Sequence, residues 1–183
     1  SVLFGKNTKG FHLSATQDSH EKYKNELFSN SRMSLREWLF GNFTLPSLKE
    51  VFENKGDDVE FKVLLMTSTE LPEKNKAYIE SVAKENSEWF FLSYVDPSRV
   101  KYGEHISPLL NKYKEEGDFI CATARLDDDD ALFKYYAKEL GSIMSEETDR
   151  SVVSFSLGYN IYTTSDKEFV GASEYHHTKN SAG

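Results

Sequence analysis

Residues 119–132, with the sequence FICATARLDDDDAL, carry the clearest indication of the fold. An apolar stretch, residues 119–124, is followed closely by four consecutive aspartates, residues 127–130, which we call the acidic run. Apolar residues at helical spacing come next and continue to Gly141. This order predicts a buried strand, a turn and then a helix beginning near Ala131, as in proteins with parallel sheets.

The same alternation of strands and helices extends to both sides of this stretch. Ser34 and Glu37 form a capping-box pattern that predicts a helix start, because their side chains satisfy free backbone donors there. Further helices are predicted to begin at Pro46, at Pro72 and near Ile106. The other predicted strands are residues 2–4, 61–66 and 89–95, with a late pair at 151–155 and 159–163. We therefore expect one α/β domain over residues 1–183, with a mixed, mostly parallel sheet flanked by helices.

Composition narrows the class of protein further. Hydrophobic residues make up 38% of the 183 residues, which indicates a folded chain, and the net charge of −8 argues against a nucleic-acid partner. No apolar run reaches the ~18 residues that a membrane-spanning helix needs. We expect a soluble, cytoplasmic protein, at most peripheral to the inner membrane face. The only cysteine, Cys121, excludes an internal disulfide and is expected to be buried and inert.

The acidic run is the strongest candidate for chemistry. Ligands of open α/β sheets bind beyond the carboxyl ends of the strands, where this run is predicted to lie. Two like charges ~5 Å apart repel by about 3 kcal/mol at an effective dielectric constant near 20. The next helix N-terminus and Arg125 would offset only part of this repulsion, whereas a hard divalent cation would offset it. We therefore predict metal-ligand roles for Asp127 and Asp129, and leave open an N-cap role for Asp130.

Other candidate residues rest on weaker patterns. Thr67 and Ser68 follow a predicted strand and could hydrogen-bond a nucleotide, although turn residues of the same types are common. Glu174 is a candidate general base for deprotonating an acceptor hydroxyl. His176 is a candidate third metal ligand, with a solvated histidine as the alternative.

Several landmarks together resemble one known family. Residues 123–132 resemble the TxRLDNDDAL stretch of the putative rhamnosyltransferase family. Residues 37–39 and 43–48 resemble its WL and LPSL segments, and Phe155 to Tyr159 with residues 181–183 resemble its later G-Y and SAG landmarks. The match is collinear and covers the chain from about residue 35 onwards.

The resemblance implies a GT-A fold, a nucleotide-sugar donor, a glycan or related acceptor, and a DxD-type metal site. By this analogy Asp127 would lie near the donor's nucleotide or ribose, and Asp129 would bind Mn²⁺ or Mg²⁺ at the diphosphate. Asp130 would help to orient and complete the metal site, and Arg125 would contact phosphate or pair with an aspartate. Asp128, which stands where the family has asparagine, would add charge beside the donor.

The resulting hypothesis is a metal-dependent glycosyltransferase of polysaccharide biosynthesis. The chain stops at the SAG landmark, where family members continue, so a shortened domain stays an alternative, together with a GT-A-like binding module without turnover. A metal-dependent phosphohydrolase using the same aspartates is the other alternative. Motifs of hydride-transferring enzymes, P-loop kinases and serine hydrolases are absent from the sequence. The donor, the acceptor, the stereochemical course and the oligomeric state stay undecided.

Overall fold

The computed structural model describes residues 20–97, 99, 101–114, 117, 119–145, 148 and 151–176. The predicted strand at residues 2–4 and the landmark at 181–183 lie outside these residues.

A long helical unit begins the described part of the chain. Helix α1 (His20–Leu27) precedes α2 (Asn30–Leu39), which continues through a π-helical turn (Phe40–Thr44) into α3 (Leu45–Glu53). The helix α3 has a proline in its first turn, as its sequence predicts, and Gly56 beyond its end has a φ of 89°. The predicted start at Ser34 is wrong. Helix α2 begins four residues earlier, and Glu37 accepts a 2.5 Å hydrogen bond from Asn75 instead of capping the helix.

A small parallel sheet lies next along the chain. Strand β1 (Val63–Ser68) pairs with β2 (Phe90–Val95), with Val63 opposite Phe90 and Ser68 opposite Val95. Helix α4 (Glu73–Glu85) connects them, which makes a βαβ unit, and α5 (Tyr102–Lys114) follows. Both strands and both helices lie within a few residues of their predicted positions.

The core forms where the helical unit meets this sheet. Its buried members are Phe40, Leu45, Leu48, Val82, Trp89 and Phe90. The ring of Trp89 stacks on Phe52 with centroids 5.4 Å apart and meets Phe90 edge-on at 5.6 Å. Leu126 and Leu132, which flank the acidic run, pack against the same cluster. The core therefore fixes both ends of the acidic run.

The stretch before the acidic run does not form the predicted buried strand. Residues 119–124 have no regular structure, and both Phe119 and Ile120 are more than 40% exposed. Cys121 is exposed, so the expectation of a buried thiol is wrong. A strand is held by hydrogen bonds to a neighbour, and within the described ranges no strand pairs with this segment. An apolar composition alone is therefore not enough to make this segment a strand.

The helix after the acidic run begins later than predicted. Helix α6 runs from Tyr136 to Ile143, beyond the predicted end at Gly141, and Tyr135 is its N-cap. Asp130 is therefore not the N-cap. Leu132 is turned into the core and its backbone N–H is bound to a serine of α3, which keeps residues 131–135 outside the helix. The Asp130 carboxylate is left without the backbone partners of a cap.

An antiparallel hairpin ends the described part of the chain. Strand β3 (Leu157–Thr163) pairs with β4 (Phe169–His176), with Tyr159 opposite Glu174. The predicted pair was partly wrong, because residues 151–155 are not a strand and the partner of β3 is the segment after it. The protein is thus a mixed α/β structure with a small parallel sheet and helices. None of its described helices combines the length and apolar character that a membrane crossing requires.

Candidate functional site

The acidic run forms a tight turn above the core. The backbone N–H of Asp130 donates to the carbonyl oxygen of Asp127 at 3.2 Å, which closes the turn. Leu126 before the turn and Leu132 after it are both anchored in the core. The four carboxylates therefore lie on a short loop whose two ends are fixed.

Arg36 of α2 reaches the acidic run from the helical unit. Its Nε donates to Asp128 Oδ2 at 3.0 Å and its Nη2 donates to Asp128 Oδ1, which makes a two-pronged contact. Its Nη1 donates to Asp129 Oδ2 at 2.7 Å. The side chains of Arg36 and Asp128 are each only 22% exposed. One guanidinium thus holds two successive carboxylates.

Two hydroxyl side chains of the same helical unit bind the backbone of this loop. Thr44 is buried, and its Oγ1 donates to the carbonyl oxygen of Asp128 at 3.1 Å. Ser47 Oγ accepts from the N–H of Leu132 at 3.2 Å. The loop is consequently held by side chains more than 80 residues away in the sequence.

The charges of the acidic run are only partly compensated. Arg36 pairs with Asp128 and Asp129, and Arg125, which is 63% exposed, pairs with Asp127 at 3.1 Å. Over the described ranges, four carboxylates face two guanidiniums, so negative charge is in excess at this loop. Within the described part of the chain, the Asp130 carboxylate makes no hydrogen bond or ion pair. The surplus negative charge therefore lies around Asp130.

The pKa values of Asp130 and Asp128 are shifted in opposite directions by their surroundings. Burial, followed by the negative charges of Asp129 and Asp127, raises the pKa of Asp130. Burial is also the largest influence on Asp128 and would raise its pKa. The hydrogen bonds and charge of Arg36 are among the influences that outweigh burial and lower the pKa of Asp128. Asp128 is thus stabilised as an anion, whereas ionised Asp130 is disfavoured.

Replacing Asp130 with asparagine is expected to raise Tm at pH 7 in the presence of EDTA. A carboxyl whose pKa is raised on folding costs stability once the pH exceeds its unfolded value, near 3.9, and the full cost is present above the folded pKa. The gain should therefore shrink as the pH falls from 7 towards 4. Asp128→Asn should show the opposite sign, with a loss at pH 7 that diminishes mainly below the unfolded value of about 3.9, because its folded pKa is lowered. Thermal melts from pH 7 to about 3 measure both, with the exposed Asp58→Asn as control.

An open hollow lies beside the acidic run. It has a volume of about 2940 Å³, larger than the roughly 300–1,000 Å³ of pockets that enclose small ligands, so it is a broad groove. Asp127, Asp129 and Asp130 line it together with Arg125, whereas Asp128 does not. Three of the four aspartates therefore face the groove, and the fourth is turned towards Arg36. Tyr136, Phe155 and the hairpin strand β3 supply much of the remaining wall.

The other predicted site residues lie away from this loop. Ser68 is buried at the end of β1, where its Oγ accepts from the N–H of Glu70 at 3.0 Å, as in an ordinary turn. Thr67 precedes it on β1, and neither residue lines the groove. Glu174 and His176 are exposed on β4, and they do not line the groove either, although Tyr175 between them does. The structure brings together Arg125 and the acidic run, but not these four residues.

The donor set can be judged against the cation that the resemblance implies. In the described part of the chain no three His, Cys, Asp or Glu residues form a ready-made metal cluster. A site of that kind is not required for Mg²⁺, which proteins usually bind with one or two carboxylates while substrate phosphates and waters complete the shell. The groove-facing oxygens of Asp129 and Asp130 are hard donors of this type. The residues present therefore fit a divalent cation shared with a phosphate ligand.

Arg36, Thr44 and Ser47 are site residues that the sequence analysis missed. Arg36 lies directly before residues 37–39, which resemble the WL landmark, and Thr44 and Ser47 lie within residues 43–48, which resemble the LPSL segment. Their hydrogen bonds join both segments to the acidic run and its flank. The available signal in the sequence was that the WL and LPSL landmarks occur in the same family as the acidic motif, which suggests that they contact it.

Comparisons with known proteins give one match. The family described as "Putative rhamnosyl transferase" matches the chain over residues 3–183. No curated protein and no solved structure matches it. The family match covers nearly the whole chain and includes the helical unit, the acidic run and the hairpin. The chain therefore belongs to the putative rhamnosyl transferase family and is a glycosyltransferase, an enzyme that uses a sugar donor and an acceptor.

Proposed function

We propose that this glycosyltransferase transfers a sugar from a nucleotide-sugar donor to a glycan or related acceptor, with Mn²⁺ or Mg²⁺ held at the acidic run. The proposal includes a GT-A-like arrangement, in which the acidic run forms the donor side of the groove. The family's description makes a rhamnosyl donor one candidate among the nucleotide sugars to be tested, and the sugar itself stays undecided.

The observation that carries the proposal is the division of the four aspartates. Asp128 pairs with Arg36 and does not line the groove, whereas Asp127, Asp129 and Asp130 do. Among the described residues the loop has more carboxylates than guanidiniums, and the Asp130 carboxylate has neither arginine as a partner. A divalent cation would offset this excess of negative charge and relieve the repulsion that disfavours ionised Asp130.

The chemistry of the donor fits the same place. Asp129 and Asp130 would hold the cation, and Asp127 would lie near the nucleotide. When bound, a divalent cation would neutralise the charge that develops on the departing nucleoside diphosphate. The exposed guanidinium of Arg125 could move from Asp127 to a phosphate oxygen, since arginine binds both groups with the same fork of donors.

Binding and proton-transfer roles for the remaining candidates stay part of the proposal. A transferase that inverts the sugar needs a carboxylate to take the proton of the acceptor hydroxyl, and Glu174 would have that role. Thr67 and Ser68 would contact the donor nucleotide, and His176 would supply a further ligand. None of these four side chains contacts the acidic run among the described residues, so each would need donor or acceptor binding to bring it close.

A thermal-shift panel tests the proposal. Nucleoside diphosphates and nucleotide sugars should raise Tm in the presence of Mn²⁺ and much less in EDTA, because a ligand that binds only the folded state stabilises it. Nucleoside monophosphates, which lack the second phosphate, should give a smaller shift at the same concentration. Equal shifts with and without Mn²⁺ would contradict the metal-dependent donor site.

Turnover separates the alternative functions. Incubation of the stabilising nucleotide sugar with candidate acceptors should release nucleoside diphosphate only when an acceptor is present, or faster when it is. Release of inorganic phosphate from simple esters would instead favour a phosphohydrolase. Donor binding with no turnover towards any acceptor would favour a binding module.

A further inference from the structure

Arg36 occupies a place that the proposed reaction does not by itself explain. Its guanidinium approaches the acidic run from α2, 92 residues earlier in the chain, and it does not line the groove. Three of its nitrogens donate hydrogen bonds to Asp128 and Asp129. Arg36 therefore holds the acidic run without lining the groove.

The contact depends on the shape of a guanidinium. Its planar fork can hold both oxygens of Asp128 while a third nitrogen reaches Asp129, whereas a lysine ammonium is a single point charge. The contact with Asp128 fixes that side chain away from the groove, and the contact with Asp129 uses Oδ2 alone. In the part of the chain that the structure describes, the other oxygen of Asp129, Oδ1, makes no hydrogen bond or ion pair, and it belongs to a residue that faces the groove.

We propose that Arg36 is a positioning residue for the donor site: it keeps Asp128 out of the groove and orients Asp129 so that the groove-facing carboxylates are arranged for a divalent cation. The inference rests on the proposed function. It adds that the affinity of the acidic run for the cation depends on a residue that contacts neither cation nor donor.

The sign of the mutational effect separates positioning from simple charge effects. Removing a positive charge near a cation site should by Coulomb's law strengthen cation binding. Removing a group that orients the ligands should weaken it, and changes to such outer partners typically cost about 10–100-fold in metal affinity. A weaker cation affinity in an Arg36 variant therefore has no electrostatic explanation.

The test is a Mn²⁺ titration of the full chain without nucleotide, followed by electron paramagnetic resonance of free Mn²⁺. Arg36→Ala should bind Mn²⁺ about 10-fold more weakly or worse than wild type. Arg36→Lys, which keeps the charge but not the fork, should recover only part of the affinity. Arg32→Ala is the matched control, because it removes an exposed arginine from the same helix one turn earlier, and should stay within about 2-fold of wild type.

Tm in EDTA, measured on the same proteins, separates folding from positioning. A purely structural role would lower Tm while leaving the Mn²⁺ affinity of the folded protein unchanged, and that result would overturn the proposal. Tighter Mn²⁺ binding by Arg36→Ala would also overturn it, since Arg36 would then compete with the cation. If Arg36→Ala does not fold, Arg36→Lys decides by the same two criteria. No Mn²⁺ binding by the wild-type chain, either alone or with a saturating nucleoside diphosphate, would contradict the metal site itself. Mn²⁺ binding by wild type that Arg36→Ala leaves unchanged would contradict the positioning role alone.

Discussion

Replacement of Asp129 by alanine is expected to lower donor turnover by at least ~100-fold. A divalent cation contributes several kcal/mol to stabilising a developing phosphate charge, and each 1.36 kcal/mol corresponds to a factor of ten in rate. Asp129 faces the groove and is 39% exposed, so its removal should take away a ligand without opening the core. Release of nucleoside diphosphate from the productive nucleotide sugar, at saturating Mn²⁺, measures the effect.

The exposed Asp58 provides the matched control for this variant. Asp58→Ala removes the same charge from a loop between α3 and β1, and should leave turnover within about 2-fold of wild type. Asp129→Ala should also lose the Mn²⁺-dependent part of the thermal shift given by nucleoside diphosphates. Full turnover and an unchanged shift in Asp129→Ala would exclude Asp129 as a metal ligand.

Replacement of Trp89 by alanine is expected to destabilise the protein by ~3–5 kcal/mol, the usual cost of truncating a large buried aromatic residue. Trp89 is only 4% exposed and its ring lies among Phe52, Phe61 and Phe90, with centroids 5.4–6.3 Å away. For a chain of this length the loss corresponds to a decrease in Tm of roughly 6–20 °C. Urea unfolding followed by circular dichroism gives the free energy directly.

The second tryptophan serves as a control of the same residue type. Trp38 lies on α2, is only partly buried, and contacts Phe43 edge-on at 5.4 Å. Trp38→Ala leaves a smaller void and should cost less than half as much as Trp89→Ala. Equal losses in the two variants would mean that the cluster around Trp89 is not the main core of the protein.

The helices and strands whose own apolar pattern reflects their burial were predictable from the sequence. The helices α3 and α4 begin close to their prolines, and the strands β1 and β2 lie within two residues of the predicted apolar runs. In these segments the hydrophobic pattern records the burial that stabilises the element. The parallel pairing of β1 with β2 follows from the helix between them.

Elements that depend on a distant partner were not predictable. Residues 119–124 have the composition of a buried strand, yet no described strand supplies the hydrogen bonds that would make them one. The start of α6 is displaced because Leu132 is tied to Ser47, 85 residues away. Period and propensity describe neighbours along the chain and carry no information about such contacts.

The candidate site was likewise predictable only in part. The acidic run was evident from four adjacent aspartates, and the structure places three of them on the groove. Its compensation by Arg36 was not evident, because the capping-box pattern around Ser34 and Glu37 assigned that segment a local role. The repulsion among the aspartates was recognised, but half of its compensation comes from a helix far away in the sequence. The negative charge left for a bound cation is therefore smaller than the four adjacent aspartates suggest.

The most direct measurement is an anomalous difference map at the manganese absorption edge, from crystals of the full chain grown with Mn²⁺ and a nucleoside diphosphate. We expect a strong peak about 2 Å from carboxylate oxygens of Asp129 and Asp130, beside the diphosphate, with Asp128 still bound to Arg36. A well-bound nucleotide with no anomalous peak at the acidic run, or a peak bound only by other residues, would contradict the account.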